Sequence, residues 1–205
     1  MDELTTREGI ERRTIVKGAA WSVPIVAAAV ATPASNASAP DCPTCLRPAV
    51  FLGGVWSAPA IPVLGNQGAI PFGNLFGINA VDCGIDIFQP AFTYVITQAT
   101  LTMSNGNTYN SSLGLGAGSG VLGTLGAFPG TFLFTNVFFP NGGSIGLYNP
   151  HPQSLSVQVN VTLQWGLGVS LLCPVTLTWN LAGVGAGIVA FGAGAISFSG
   201  VATAA

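Results

Sequence analysis

Apolar and polar residues alternate almost without interruption between Leu155 and Leu181. A period of two is typical of an extended strand, because successive side chains of a strand point to opposite faces. The tripeptide Gly166-Leu167-Gly168 divides this stretch, and glycine accepts the backbone conformations that tight turns need. We therefore predict an antiparallel hairpin with strands at 155–165 and 169–181.

The three-residue loop fixes the register of this hairpin. A slip of one residue would pair apolar with polar side chains, so the register is strongly specified. Pro174 cannot donate a hydrogen bond to the ladder, which predicts a bulge or a locally unpaired edge at that position. The predicted apolar pairs, from the loop outwards, are Trp165–Val169, Leu163–Leu171, Val161–Cys173, Val159–Val175, Val157–Leu177 and Leu155–Trp179.

Three further segments, at 92–103, 131–139 and 187–201, have the composition of strands. Asn105-Gly106 is a strong signal for a hairpin turn, and Asn141-Gly142-Gly143 marks another turn. No run after residue 37 combines helical periodicity with capping residues. Strands joined by Gly, Pro and Asn turns predict an all-β fold. We expect an antiparallel β-sandwich, immunoglobulin-like or similar, with a β-barrel as the alternative.

Two segments are expected to be less regular. Residues 38–75 hold six prolines, each of which fixes φ and removes a donor, so helices are excluded there. We predict an irregular lead-in with short extended pieces, such as 49–56. Residues 114–126 are predicted to form a glycine-rich loop.

Charge is concentrated near the N-terminus. The chain has five Lys and Arg and seven Asp and Glu, and none of these lies between Ile87 and Ala205. Soluble domains usually carry about 25% charged residues. Nucleic acids are not expected as partners, because their phosphates attract basic side chains and only Arg47 is basic after residue 37.

A targeting pattern includes three of the four basic residues near the N-terminus. Arg12-Arg13 and Lys17 precede a moderately apolar stretch at 18–31, and Ser35-Asn36-Ala37 has the small-x-Ala form of a cleavage site. Such an apolar stretch suits a signal peptide and is shorter than the ~20 residues that span a bilayer. The alternative is an uncleaved N-terminal anchor.

This block resembles the twin-arginine signal peptides of many uncharacterised exported proteins of Gram-positive actinobacteria. The resemblance covers only the leader, residues 1–37. It implies export through the twin-arginine pathway, cleavage after Ala37, and a mature chain, 38–205, that is secreted or associated with the cell wall. We expect that mature chain to form a single β-rich domain with no membrane span.

The four cysteines are Cys42, Cys45, Cys83 and Cys173. An even number in an exported protein predicts two disulfides. Bridges from each of Cys42 and Cys45 to either Cys83 or Cys173 would tie the irregular lead-in to the sheets. The spacing of Cys42 and Cys45 also occurs in redox and zinc sites, but no thioredoxin-like βαβ pattern surrounds it. We expect no metal and no cofactor.

Few residues could carry catalysis. His151 lies between two prolines, and the acidic residues after the leader are Asp41, Asp82 and Asp86. A secreted hydrolase would need Asp82, Asp86 or His151 to meet in a cleft, and a calcium site at the two carboxylates is another alternative. A β-barrel of an outer lipid layer is a third. We predict instead a non-enzymatic structural, adhesive or binding protein that associates with itself or with cell-wall components.

Overall fold

The computed structural model of the protein describes residues 42, 44–60, 62, 65–73, 75–84, 91–143, 147–165 and 169–205, without the side chains at 164, 165, 169 and 170. Several residues named above lie outside this description. They are the whole leader, 1–37, with Arg12, Arg13, Lys17 and Ala37, together with Asp41, Asp86 and the loop 166–168.

The described residues form twelve strands and one short 3₁₀ turn, Leu52–Gly54. This confirms the predicted all-β class. The strands are β1 (Arg47–Val50), β2 (Val55–Ala60), β3 (Gln67–Phe72), β4 (Phe76–Asn79), β5 (Ala91–Met103), β6 (Thr108–Leu113), β7 (Ala117–Val121), β8 (Leu125–Ala127), β9 (Phe132–Phe138), β10 (Pro152–Trp165), β11 (Val169–Ala190) and β12 (Ala193–Ala204).

The strands make two antiparallel sheets. The small sheet has the order β1-β4-β8, and the large one has the order β2-β12-β11-β10-β5-β6-β9-β3, with β7 paired to β5. Its end strands β2 and β3 lie side by side, so the large sheet is nearly closed and barrel-like. Pro59 of β2 and Pro71 of β3 line an opening of about 260 Å³. Proline has no amide hydrogen for a ladder, which disfavours pairing at this seam.

The predicted hairpin is present as β10 and the first half of β11. Every predicted pair from Leu155–Trp179 to Trp165–Val169 occurs, without a register shift between the strands. Pro174 therefore sits in a regular ladder opposite Asn160, and the expected bulge is absent. The carbonyl of Thr178 accepts a hydrogen bond from the N–H of Ala205, the residue after β12. Backbone groups of every second residue point to the same edge of a strand, so the backbone of Pro174 faces that edge too, at a point where β12 no longer pairs with β11. Within the described residues this agrees with the other predicted alternative, a locally unpaired edge at Pro174.

The single strand predicted at 187–201 is wrong. β11 continues to Ala190, the chain turns at Phe191 and Gly192, and β12 returns antiparallel to it. Both turn residues have positive φ, 53° and 77°, as two-residue hairpin turns require.

The predicted loop at 114–126 is also wrong, since it contains β7 and part of β8. Tyr94 is paired with Gly118, and Phe92 with Gly120. A Cβ at either glycine would overlap the aromatic ring of its partner. Glycine in β7 thus makes room for two core rings of β5, and a composition typical of loops forms a strand.

Residues 38–75, predicted as an irregular lead-in, contribute β1, β2 and β3. Pro48, Pro59 and Pro71 all lie in these strands, which are short and belong to the margins of their sheets. Proline is tolerated at sheet edges because a donor is not needed on the unpaired side.

Both predicted disulfides are present. Cys42 is bonded to Cys173 on β11, and Cys45 is bonded to Cys83 after β4. The bridges therefore join the N-terminal end of the described chain to the large sheet and to the turn that follows β4 of the small sheet. The core that they border is strongly aromatic. Its largest fully buried rings belong to Trp179, Tyr148, Phe72, Phe76, Phe128, Phe132, Phe134, Phe139 and Phe198.

Candidate interaction surface

His151, the one histidine of the chain, is held by hydrogen bonds to Asn149 of its own loop and to Ser104 of the turn after β5. Its backbone N–H donates to Ser104 Oγ at 3.1 Å, and its Nδ1 lies 2.9 Å from Asn149 Oδ1. The carbonyl of His151 accepts from the N–H of Ser104. These contacts anchor the loop before β10 to the turn after β5. The imidazole is therefore paired with a neutral amide rather than with a carboxylate.

Asp82 lies in an exposed turn after β4. That turn is formed by hydrogen bonds from Val81 N–H to Asn79 Oδ1 (2.9 Å) and from Cys83 N–H to Ala80 O (3.1 Å). In the part of the chain that the structure describes, no three His, Cys, Asp or Glu side chains gather as metal ligands would. Asp82 thus lies in the turn after β4, and His151 lies in the loop before β10.

Two tyrosine hydroxyls are buried with carbonyl partners. Tyr148 donates to Pro140 O at 2.7 Å, and burial raises the pKa of Tyr148 to about 12. Tyr94 donates to Ala127 O at 3.5 Å, and burial also raises its pKa. Both phenols remain neutral at physiological pH, since a raised pKa favours the protonated form. They act as structural donors and not as bases.

The most distinctive surface is the outward side of β2, β12 and the second half of β11, which we call the uncharged face. All its side chains are exposed, and all are apolar or carry a single hydroxyl. Val184 is 55% exposed and Ile188 is 51% exposed. The face comprises Val55, Ser57, Pro59, Ala182, Val184, Ala186, Ile188, Ala190, Ala193, Ala195, Ser197, Ser199 and Val201.

Strand register aligns these side chains in rows. Val201 lies between Ala182 and Val55, and Ser199 lies between Val184 and Ser57. Each row therefore crosses three strands, with neighbours about 5 Å apart. The face is built mostly of small side chains, so its relief is low.

Glycines on the opposite side of these strands explain how the face is supported. A Cβ at Gly183 would lie 2.5 Å from Cζ2 of Trp56, and one at Gly185 would lie 2.8 Å from Cε1 of Phe198. The two rings therefore lie directly against the backbone of β11. The core side of β11 is therefore filled by rings of the neighbouring strands, those of Trp56 and Phe198. The side chains on the outer side are mostly small.

Phe191 extends the face at the tip of the β11–β12 hairpin. It is 96% exposed and has a φ of 53°, a conformation that bulky residues rarely adopt. The tip is fixed by Asn141, whose Oδ1 accepts hydrogen bonds from Gly192 N–H (3.1 Å) and from Asn66 Nδ2 (2.9 Å). The ring of Phe191 is thus exposed to solvent on a turn that hydrogen bonds to Asn141 hold in place.

This surface was not predicted from the sequence. A signal was present, because Val184 and Ile188 are four residues apart and so lie on one face of an extended strand, the face opposite to Leu181. It was obscured by alanine and serine, which are compatible with either face of a strand, and by the turn at 191–192.

Within the described residues there is no helix with the length and hydropathy needed to cross a bilayer. Comparison of the chain with protein-family models, with curated proteins and with solved structures finds no match.

Proposed function

We propose that the protein is exported and acts outside the cytoplasmic membrane as a non-enzymatic structural, adhesive or binding protein, secreted or associated with the cell wall. The observation that carries this proposal is the uncharged face. Exposed apolar patches on soluble proteins commonly mark sites of interaction. Here the patch extends over three strands and ends in the exposed ring of Phe191.

The compartment is supported by two independent features. Two disulfides are typical of proteins in an oxidising environment, outside the reducing cytosol. The leader, with Arg12-Arg13, Lys17 and the cleavage pattern ending at Ala37, supports the twin-arginine route to that compartment.

The chemistry of the face limits how it can bind. It has no side chain for an ion pair, so a partner must be held by apolar burial and by hydroxyl hydrogen bonds. The β11–β12 hairpin has no charged side chain between residues 182 and 203, so no like-charge repulsion opposes contact between two copies of this face. Association with a second copy, or with uncharged parts of the cell wall, fits this surface best.

The test is sedimentation of the purified full chain at low and high sodium chloride, together with a pull-down on isolated cell-wall material. We expect self-association or wall binding that persists at high salt, since salt screens only charged contacts. The variant Val184→Asp/Ile188→Asp should lose it. The control Val95→Asp alters an outer position of β5 that is 49% exposed and should keep it.

A monomeric protein that binds no wall material would contradict the proposal, as would binding that vanishes with added salt. In the second case the charged residues outside the face, Arg47 and Asp82 among them, would carry the interaction. The hydrolase alternative has less support, because His151 is paired with Asn149 and Ser104.

A further inference from the structure

The tip of the β11–β12 hairpin is unusual in two respects. Phe191 is 96% exposed, and its φ of 53° lies in the left-handed region. Two-residue hairpin turns usually place Asn, Asp or Gly at such positions, because a bulky side chain is strained there. Strained residues tend to cluster at sites where the conformation serves a function. A function that needs a large apolar ring at this tip would account for both features.

A cavity of about 240 Å³ opens beside β2. It is lined by the rings of Trp56, Phe72 and Phe76, whose neighbouring centroids lie 5.4 and 6.1 Å apart. Its lining also includes Leu52 and Val55, which are 85% and 65% exposed, and no charged residue. An apolar cavity of about 150 Å³ binds benzene, so this one is large enough for the ring of a phenylalanine.

The ring and the cavity lie at opposite ends of the uncharged face. Phe191 immediately precedes the start of β12, whereas Val55 of the cavity wall pairs with Val201 near the end of that strand. From Ala193 to Val201 the strand spans about 26 Å. No side chain has that reach, so Phe191 cannot enter the cavity of its own molecule.

The occupant that satisfies both features is the ring of a second copy. We propose that two molecules stack their uncharged faces with their β12 strands antiparallel, so that Phe191 of each enters the cavity beside Trp56 of the other. A two-fold axis between the copies exchanges the two ends of the face, so both contacts form together, as in an isologous interface. This arrangement rests on the proposed function, because it commits the uncharged face to a second copy.

The area of the contact fits a weak but specific dimer. Three strands about 4.8 Å apart and about 26 Å long give a strip of roughly 400 Å² on each copy, and a buried phenylalanine adds about 150–250 Å². The two copies would then bury about 1,200 Å², the lower limit for stable specific complexes. Because the strip is low in relief and has no charged side chain, the two rings supply most of the specificity.

Two variants remove the two halves of the contact separately. Phe191→Asn removes the ring and preserves the turn, since asparagine tolerates a positive φ. Gly73→Leu fills the cavity from its wall, because Gly73 lines it, has no positive φ, and a Cβ there meets no atom within 4 Å. A Cβ at Gly116 is equally free, and Gly116 does not line the cavity, so Gly116→Leu is the matched control.

The measurement is sedimentation of the purified full chain over a range of concentrations. The wild-type protein and Gly116→Leu should form dimers with the same dissociation constant. Phe191→Asn and Gly73→Leu should each dimerise at least tenfold more weakly, the minimum expected when an apolar ring is no longer buried.

A mixture of the two weakened variants gives the sharpest test. A pair with one copy of each keeps one contact, since the Gly73→Leu molecule still has Phe191 and the Phe191→Asn molecule still has an open cavity. The mixture should therefore associate more tightly than either variant alone, which damage to the fold could not produce. Attaching a fluorescent label to one variant allows mixed pairs to be counted.

Four results would overturn the proposal. They are undiminished dimerisation of Phe191→Asn, undiminished dimerisation of Gly73→Leu, a mixture no tighter than its components, and wild-type species that grow beyond a dimer. Each of these leaves the proposed function standing, as does a wild-type protein that is monomeric but binds cell-wall material. A wild-type protein that neither associates nor binds wall material would exclude both.

Discussion

The indole Nε1 of Trp179 donates a hydrogen bond of 2.9 Å to the carbonyl oxygen of Ala49, 130 residues away in the sequence. Trp179 belongs to β11 of the large sheet and Ala49 to β1 of the small one. Both residues are buried, and the rings of Phe76 and Phe128 pack against the same indole, with centroids at 5.1 and 6.1 Å. One side chain therefore joins the two sheets by a polar and an apolar contact.

Replacement of Trp179 by Phe should destabilise the protein more than replacement of Trp56 by Phe. Both changes remove a similar ring volume from the core, but only Trp179→Phe leaves a buried carbonyl without its donor. An unpaired buried group costs about 1–3 kcal/mol, so the free energies of unfolding in guanidinium should differ by that amount. Equal losses in the two variants would mean that the Trp179–Ala49 bond contributes nothing to stability.

The register of β10 and β11 could be predicted because large apolar residues alternate with polar ones on both sides of a short loop. Such a pattern has one satisfactory alignment. Beyond Leu181 the same strand uses Gly183, Gly185 and Gly187 on its core side. The apolar volume there is supplied by rings of other strands, such as those of Trp56 and Phe198. Local sequence does not reveal which rings these will be.

The same reason explains the error at 114–126. Glycine is typical of loops when it is read in isolation, and it is also the residue that lets a ring lie on a strand. The ring of Tyr94 over Gly118 is a contact between residues that are distant in the chain.

The cysteine pairing, by contrast, was predictable to within two alternatives, because disulfides that stabilise the fold had to join the N-terminal segment to the sheets.

Gly118→Ala should destabilise the protein by about 1–3 kcal/mol, the usual cost of overpacking a core. The new Cβ would overlap the ring of Tyr94, which is buried. Gly126→Ala is the matched control, since it lies in neighbouring β8 and its Cβ would meet open space. The measurement is the midpoint of thermal unfolding for both variants. A smaller loss for Gly118→Ala than for Gly126→Ala would show that Tyr94 moves aside freely.

The two disulfides should differ in their contribution to stability. Cys42–Cys173 closes a loop with a sequence separation of 131, and Cys45–Cys83 closes one of 38. The chain-entropy relation gives about 5 kcal/mol for the longer loop and about 4 kcal/mol for the shorter one. Denaturation of the two double Cys→Ala variants should therefore rank the loss of Cys42–Cys173 as the larger. The opposite order would indicate that local packing, and not loop length, determines the effect.

Export should depend on the arginine pair. Replacing Arg12 and Arg13 by lysine preserves the charge and removes the pair, so unprocessed precursor should accumulate inside the producing cell. Arg7→Lys, which alters an arginine outside the pair, is the control and should be processed normally. Immunoblots of cell and medium fractions report the result. Undiminished export of the double variant would exclude the twin-arginine route.

Alkaline pH should destabilise the protein through Tyr148. Burial raises the pKa of this phenol from 10.0 to about 12, so between these pH values the unfolded state binds fewer protons than the folded state. The free energy of unfolding should therefore be independent of this group below about pH 9, and should then fall by up to ~1.4 kcal/mol per pH unit towards pH 12.

Tyr148→Phe separates this effect from general alkaline denaturation. The variant loses the hydrogen bond to Pro140 O, so at pH 7 it should be less stable than the wild-type protein by about 1 kcal/mol. Its stability should then fall less steeply above pH 10, because the raised pKa of Tyr148 no longer contributes, whereas that of Tyr94 still favours the protonated form in the folded state. Urea denaturation at pH 7, 9, 10 and 11 measures both quantities. Parallel pH profiles for the two proteins would show that Tyr148 is ionised as readily in the fold as in the unfolded chain.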